Sequence, residues 1–183
     1  MVIMNTDVLV CIDLEMACYN DGRSPRTGEI IEVGVAAVNL RDNRIFKTSQ
    51  YYVKPEHDEI SDFCTELTGI TQKRLDKQGR PLGEVLEAMR EQYGWHSFYG
   101  AWGRDQHVIR KECDAKGLKM PFYEYHNLAS LYIMMHGIKK KMSMKKAMAR
   151  EGLSFEGQQH SGADDAYNLA RLAMTFIRRQ SAS

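Results

Sequence analysis

Asp13 and Glu15 close an apolar run, Val8-Leu9-Val10-Cys11-Ile12, and stand two residues apart. If that run is a strand, successive side chains alternate and both carboxylates project from one face. Two acids side by side at the end of a buried strand repel each other and are costly to remove from water. A divalent cation relieves both costs, because carboxylates are hard oxygen ligands suited to Mg²⁺ or Mn²⁺. A strand that simply runs out into solvent would carry the same pair, so the remainder of the chain has to decide.

Further acids stand near Asp165. Steps of four from Asp165 reach Leu169, Ala173 and Ile177, so Asp165 heads the apolar stripe of a helix expected over 161–179. Asp164 leads instead to Asn168 and Leu172, a mixed face, so its replacement is expected to be nearly silent. A carboxylate at a helix start also suits the helix dipole or a cap, which is a structural explanation for Asp165. His160 precedes this helix in a loop, and Asp105 follows Gly100-Ala101-Trp102-Gly103-Arg104. Alone, His160 reads as a surface residue and Asp105 as a helix N-cap.

The elements that must position these groups follow from the pattern. The runs 8–15 and 30–38 read as strands buried on both faces. A turn at Arg41-Asp42-Asn43 leads into a third strand over 44–53, and 96–101 forms another. The cluster Asn20-Asp21-Gly22-Arg23-Ser24-Pro25 marks a turn. Helices are expected over 61–68, from Pro81 onward, and over 105–116, 127–136 and 143–150. Strands followed by alternating helices imply an α/β domain with a mixed sheet covered by helices.

Composition narrows the class. The chain has 183 residues, 25 Lys and Arg against 24 Asp and Glu, and a net charge of +1, which argues against a strongly cationic nucleic-acid wrapper. The length fits one domain, 1–183. Cys11, Cys18, Cys64 and Cys113 form no C-x-x-C pair, which points to a reducing, cytoplasmic setting. We find no signal-peptide pattern and no apolar run of membrane-spanning length.

Taken in order, Asp13-Leu14-Glu15, Asp105, and His160 followed by Asp165 resemble the histidine-type DEDD exonucleases of the DnaQ-like superfamily. Gly28-Glu29-Ile30-Ile31-Glu32-Val33-Gly34 is similar to that family's second strand. Phe63-Cys64-Thr65-Glu66-Leu67-Thr68-Gly69-Ile70-Thr71 and Phe155-Glu156-Gly157 resemble its Eri-type branch, which acts on RNA 3′ ends. Gly103-Arg104-Asp105 is one residue shorter than that branch's usual pattern around the third acid. Lys111-Glu112-Cys113 nevertheless follows Asp105 in family-like spacing.

The resemblance implies a ribonuclease H-like fold, a mixed five-stranded sheet flanked by helices, and a 3′→5′ exonuclease. Such an enzyme hydrolyses single-stranded RNA, or short RNA 3′ overhangs, to nucleoside 5′-monophosphates. Two Mg²⁺ or Mn²⁺ ions about 4 Å apart would clamp the attacking and leaving oxygens. By the resemblance Asp13 bridges the ions, Glu15 and Asp165 complete the first site, Asp105 serves the second, and His160 is the general base. It also places Met16, Ala17, Leu67 and Thr68 at the terminal nucleotides, with ordinary helix-end core as the other reading of Leu67. The lysines 139–141, 145 and 146 read either as phosphate contacts or as a solvated helix face. Tyr51, Tyr52, Trp95 and Trp102 read either as stacking surfaces or as core. A DNA-directed exonuclease of the same chemistry and a noncatalytic nucleic-acid-binding module are the alternatives.

Overall fold

The computed structural model describes residues 5–22 and 28–181. The apolar run builds β1 (Asn5–Met16), the middle strand of a five-stranded sheet. On one side β1 pairs antiparallel with β2 (Ile30–Asn39), which pairs antiparallel with β3 (Arg44–Tyr52). On the other side it pairs in parallel with β4 (Ser97–Ala101), followed in parallel by β5 (Tyr125–Asn127), giving the order β3-β2-β1-β4-β5. Leu9, Val10, Cys11 and Ile12 are all buried, as a strand covered on both faces requires.

The β2–β3 turn forms where expected. Asn39 Oδ1 accepts from the Arg41 and Asp42 amides, and Asn43 turns the chain at φ 48°. β3 stops one residue short of the expected end, and Val53 makes an isolated bridge to Arg80. Arg23, Ser24 and Pro25 of the turn-former cluster lie outside the described residues.

Local caps set most helix ends. α1 (Asp62–Thr68) starts where Ser61 Oγ accepts from Cys64 N and ends at Gly69, in the left-handed region at φ 73°. The pattern did not give α2 (Gln72–Gln78), which is seven residues long with only Leu75 buried, too little apolar repeat to register. α3 (Leu82–Tyr93) follows Pro81 and buries Val85, Leu86, Met89 and Tyr93. α4 (Asp105–Lys116) has the expected bounds. Asn127 caps α5 (Leu128–Met135) and Ser143 caps α6 (Met144–Arg150). β5 also escaped the residue-level reading, because three residues carry no usable alternation.

α7 (Gly162–Ser181) lies on β1 and β2 and buries Ala166, Leu169, Ala170, Ala173 and Phe176. Three alanines in that stripe let the helix approach the sheet closely. The side chain of Ile177 lies outside the described residues. A smaller cluster of Ala17, Cys18, Ile31, Cys64, Ile70 and Leu75 holds α1 and α2 over the end of β1. All four cysteines are free and buried. No described helix is long and apolar enough to cross a membrane.

Candidate active site

β1 delivers Asp13 and Glu15 to one face of the sheet, and the first turn of α7 delivers Asp165 to the same place. One oxygen from each carboxylate lies within 4.8 Å of the other two. A β-bulge between Glu15 and Met16, opposite Ile31, breaks the register next to this pair. Bulges re-aim side chains, and this one sits where the strand leaves the acids. Glu15 is 9% exposed, so its charge is largely removed from water. Three hard oxygen donors crowded at low exposure fit a divalent cation by the chemistry of the donor set. Burial, with Asp164 and Glu32 nearby, raises the Asp165 carboxyl to about 6, although the His160 backbone N–H and the His160 charge act the other way.

The start of α7 is seated by β2. Gly34, paired with Asp13 across the strands, touches the α7 backbone, because a Cβ there would stand 1.9 Å from the Gly162 carbonyl carbon. Glu32 faces Glu15 across the strands and is 1% exposed. Its Oε1 accepts from Ala163 N at 3.0 Å and from Gln50 Nε2 at 3.1 Å. Burial raises its pKa, against those hydrogen bonds. A carboxylate at the positive end of α7 is favoured by the helix dipole. The sequence reading assigned Glu32 no role. The signal was present: one glutamate inside the otherwise apolar run 30–38, and a buried charged residue is the informative kind.

His160 is exposed and stands in the left-handed region at φ 61°, a costly conformation for a non-glycine residue. Its backbone N–H donates to Asp165 Oδ2 at 2.9 Å, which ties the histidine loop to the acid cluster. The mixed face of α7 clamps the same loop. Asp164 Oδ2 accepts from Gln158 N at 2.8 Å, and Asn168, fully buried, exchanges hydrogen bonds with the Glu156 backbone. Arg171 donates to Ser154 O and pairs with Glu156. Gly157, at φ 84°, has to lack a side chain, since a Cβ would stand 2.5 Å from the Asp164 carboxylate. The face that Asp164 heads is itself buried at Asn168 and Leu172, and Asp164 is engaged with the loop, so its replacement is not expected to be silent.

These groups surround a cavity of about 430 Å³. Asp13, Glu15, Met16, Leu67, His160 and Asp165 all line it. Leu67 also packs on the α1 cluster, so core and cavity wall are both true of it. Ala17 is fully buried and is not part of the lining. Thr68 lines a neighbouring cavity, and its hydroxyl donates to Cys64 O and accepts from Ile70 N. Asp105 is 3% exposed at the first position of α4, outside the three-acid group and the cavity lining. Trp102, Ser143 and Met144 complete the far wall; the sequence reading did not assign Ser143 and Met144, because only the fold brings α6 to β1. Tyr51 and Tyr52 lie partly buried, bonded to Gln92 and Arg74, and Arg90 stacks over Trp95.

Comparison with known proteins agrees with this geometry. The family model described as an exonuclease, RNase_T, matches residues 10–173. ERI1 exoribonuclease 2 of Homo sapiens is 32% identical over 94% of this chain, and the chain spans 28% of that relative's length. The 3′-5′ exonuclease Snipper of Drosophila melanogaster is 30% identical over 93% of this chain and 69% of its own. The nuclease domain of 3′hExo, described as a DEDDh family member bound to rAMP, superposes with a TM-score of 0.85 at 27% identity. That match covers 96% of this chain and 94% of the other. The sheet order and its flanking helices are thus the ribonuclease H-like architecture, and the chain belongs to the exonuclease family, on its DEDDh, Eri-type branch.

Proposed function

We propose that this chain acts as one cation-dependent exonuclease domain that shortens single-stranded RNA, or short RNA 3′ overhangs, from the 3′ end and releases nucleoside 5′-monophosphates. The observation that carries the reading is the convergence of Asp13, Glu15 and Asp165 on one point, with His160 on the wall of the same cavity. Asp13, Glu15 and Asp165 would hold one divalent ion, and Asp13 with Asp105 a second, Mg²⁺ or Mn²⁺ serving in each. Bound there, such ions supply Lewis-acid stabilisation of phosphoryl charge and acidify a coordinated water. The chain's own residues do the rest. His160 takes the proton of the attacking water on an imidazole nitrogen, a group suited to that transfer near neutral pH. The Asp165 carboxylate fixes the His160 backbone from below. Leu67 and Met16 give the terminal nucleoside an apolar seat.

The preference for RNA rests on the relatives, whose names describe exoribonucleases, and on the Leu-Thr-Gly-Ile segment around Leu67. The buried free cysteines accord with a reducing, cytoplasmic compartment. The test is a 5′-labelled strand, as RNA and as DNA, with free and blocked 3′ ends, in Mg²⁺, Mn²⁺ or chelator. Stepwise shortening of free-ended RNA that chelator abolishes is expected, and His160→Ala should slow single-turnover hydrolysis by about 10²- to 10⁴-fold. Full activity in chelator would refute the cation mechanism, and preference for DNA in both metals would overturn the substrate.

A further inference from the structure

The active-site cavity ends at Trp102, Ser143 and Met144, and beyond them lies a second cavity of about 410 Å³. Trp102 lines both. Its indole N–H donates to Met142 O at 3.0 Å, which ties the β4–α4 turn to the loop before α6 as a fixed saddle between the two spaces. The second cavity is lined by Arg104, Lys141, Ser130 and Asn127 among others, and by no carboxylate. The active-site cavity and three further cavities each contain an acid: Asp13 in the first, then Glu29, Glu32 and Glu87. Arg104 and Lys141 are exposed, and neither forms an ion pair among the described residues. Lys141 belongs to the basic run 139–141 and lines this cavity.

A single strand whose last nucleotide fills the active-site cavity has to carry its remaining phosphates away from three crowded acids. The other neighbouring space, beside Thr68 and Ser161, contains Glu32, and its Arg74 is engaged with the Tyr52 hydroxyl and ring. The way over Trp102 leads instead to two cations with no opposing charge. We propose that this second cavity binds the single-stranded nucleic acid upstream of its terminal nucleotide. Arg104 and Lys141 lie against its phosphates, and Trp102 stands where a base crosses the saddle. The inference rests on the exonuclease reading above and adds to it the path of the strand.

The test uses the full chain and its Arg104→Gln/Lys141→Gln double variant. Affinity for a fluorescein-labelled octanucleotide with phosphorothioate linkages is followed by anisotropy against salt. Two lost phosphate contacts reduce the salt slope by about 1.4, since each single-strand contact contributes roughly 0.7. From 50 to 200 mM salt the unmodified chain should therefore lose about sevenfold more affinity than the variant. The variant's loss in kcat/KM should also be greater on an octanucleotide than on a dinucleotide, and Arg104→Lys/Lys141→Arg should restore the slope. An unchanged slope, or an equal loss at both lengths, overturns the strand path even if hydrolysis is normal. If the unmodified chain hydrolyses nothing, the exonuclease reading fails while the salt slope still reports on this cavity.

Discussion

Glu29, Glu112 and Lys116 border one cavity of about 400 Å³, and Asp13, Glu15 and Asp165 border another of about 430 Å³. Both are acid-rich and both lie beside the central strands, yet Glu29 and Asp165 are shifted in opposite directions, while burial raises Glu112 as it raises Asp165. Glu29 accepts from Lys116 Nζ at 2.9 Å and from the amides of Glu56, His57 and Asp58. Burial alone would raise its pKa, but those partners outweigh burial and bring it down to about 2. Lys116 also reaches Glu56, and Glu112 Oε1 accepts from Ile30 N at 2.6 Å. This cluster is balanced by the chain itself and clips the 56–58 loop and α4 to the start of β2. In the other cluster the neighbours of Asp165 include Asp164 and Glu32, and its pKa moves up instead. An acid held down by a lysine and three amides is structural, whereas acids the fold crowds against one another are the ones to suspect of chemistry.

The contrast breaks most sharply at Asp165. Asp165→Asn keeps an oxygen for the His160 amide and removes one crowded charge. Hydrolysis should fall by at least the 10²- to 10³-fold that loss of one preorganised electrostatic group costs. In chelator its melting temperature should rise by about 2–4 °C, the shift that ~1 kcal/mol produces in a chain of this length. Single-turnover rates and thermal melts read the two effects, and a variant that is both active and less stable would erase the distinction.

Glu29→Gln should do the reverse, destabilising the fold by about 1–3 kcal/mol at neutral pH through its charged hydrogen bonds while the folded variant still hydrolyses. The pH dependence sharpens this. Glu29 is depressed below its ordinary 4.5, so its stabilisation is present above that value and is lost as pH falls towards about 2. Urea midpoints taken from pH 5 to 2 should fall less steeply in the variant than in the unmodified chain, and parallel curves would show that Glu29 is not the balanced acid.

The smallest effect belongs to Asp164→Ala. Loss of its bond to Gln158 N loosens the loop that carries His160, and about 1 kcal/mol of lost positioning corresponds to roughly fivefold in rate. Asp164→Asn, which retains an acceptor, should recover most of that rate. A rate unchanged in Asp164→Ala would return Asp164 to the silent face on which its helical phase alone had placed it.

What could be read from the chain was what is written locally. Ser61, Asn127 and Ser143 each cap a helix through the amide three residues on, so their positions alone announced the helix starts. Asp13, Glu15 and Asp165 were legible because strand and helix periods fix which face each residue takes. Contacts that depend on tertiary approach were not legible. Glu32 meets Ala163 across 131 positions of sequence. Asp164 acts on a loop six residues behind it, where helical phase says nothing. Thr68 and Ala17 sit beside lining residues but turn into local hydrogen bonds and core, and on a helix such as that of Thr68 one residue along turns a side chain by about 100°.

The contact of Gly34 with Gly162 sets the spacing of the acids by a hard stop. Backbone rests on backbone at that point, with the Glu32 carboxylate bonded to Ala163 N beside it. Cavities opened elsewhere in the α7 stripe, for example at Leu169, would therefore weaken the molecule before they changed the gap between Asp13 and Asp165. The site's calibration and the protein's durability are thus separately adjustable, and sequence drift in the core can proceed without changing the gap between the acids proposed to hold the cation.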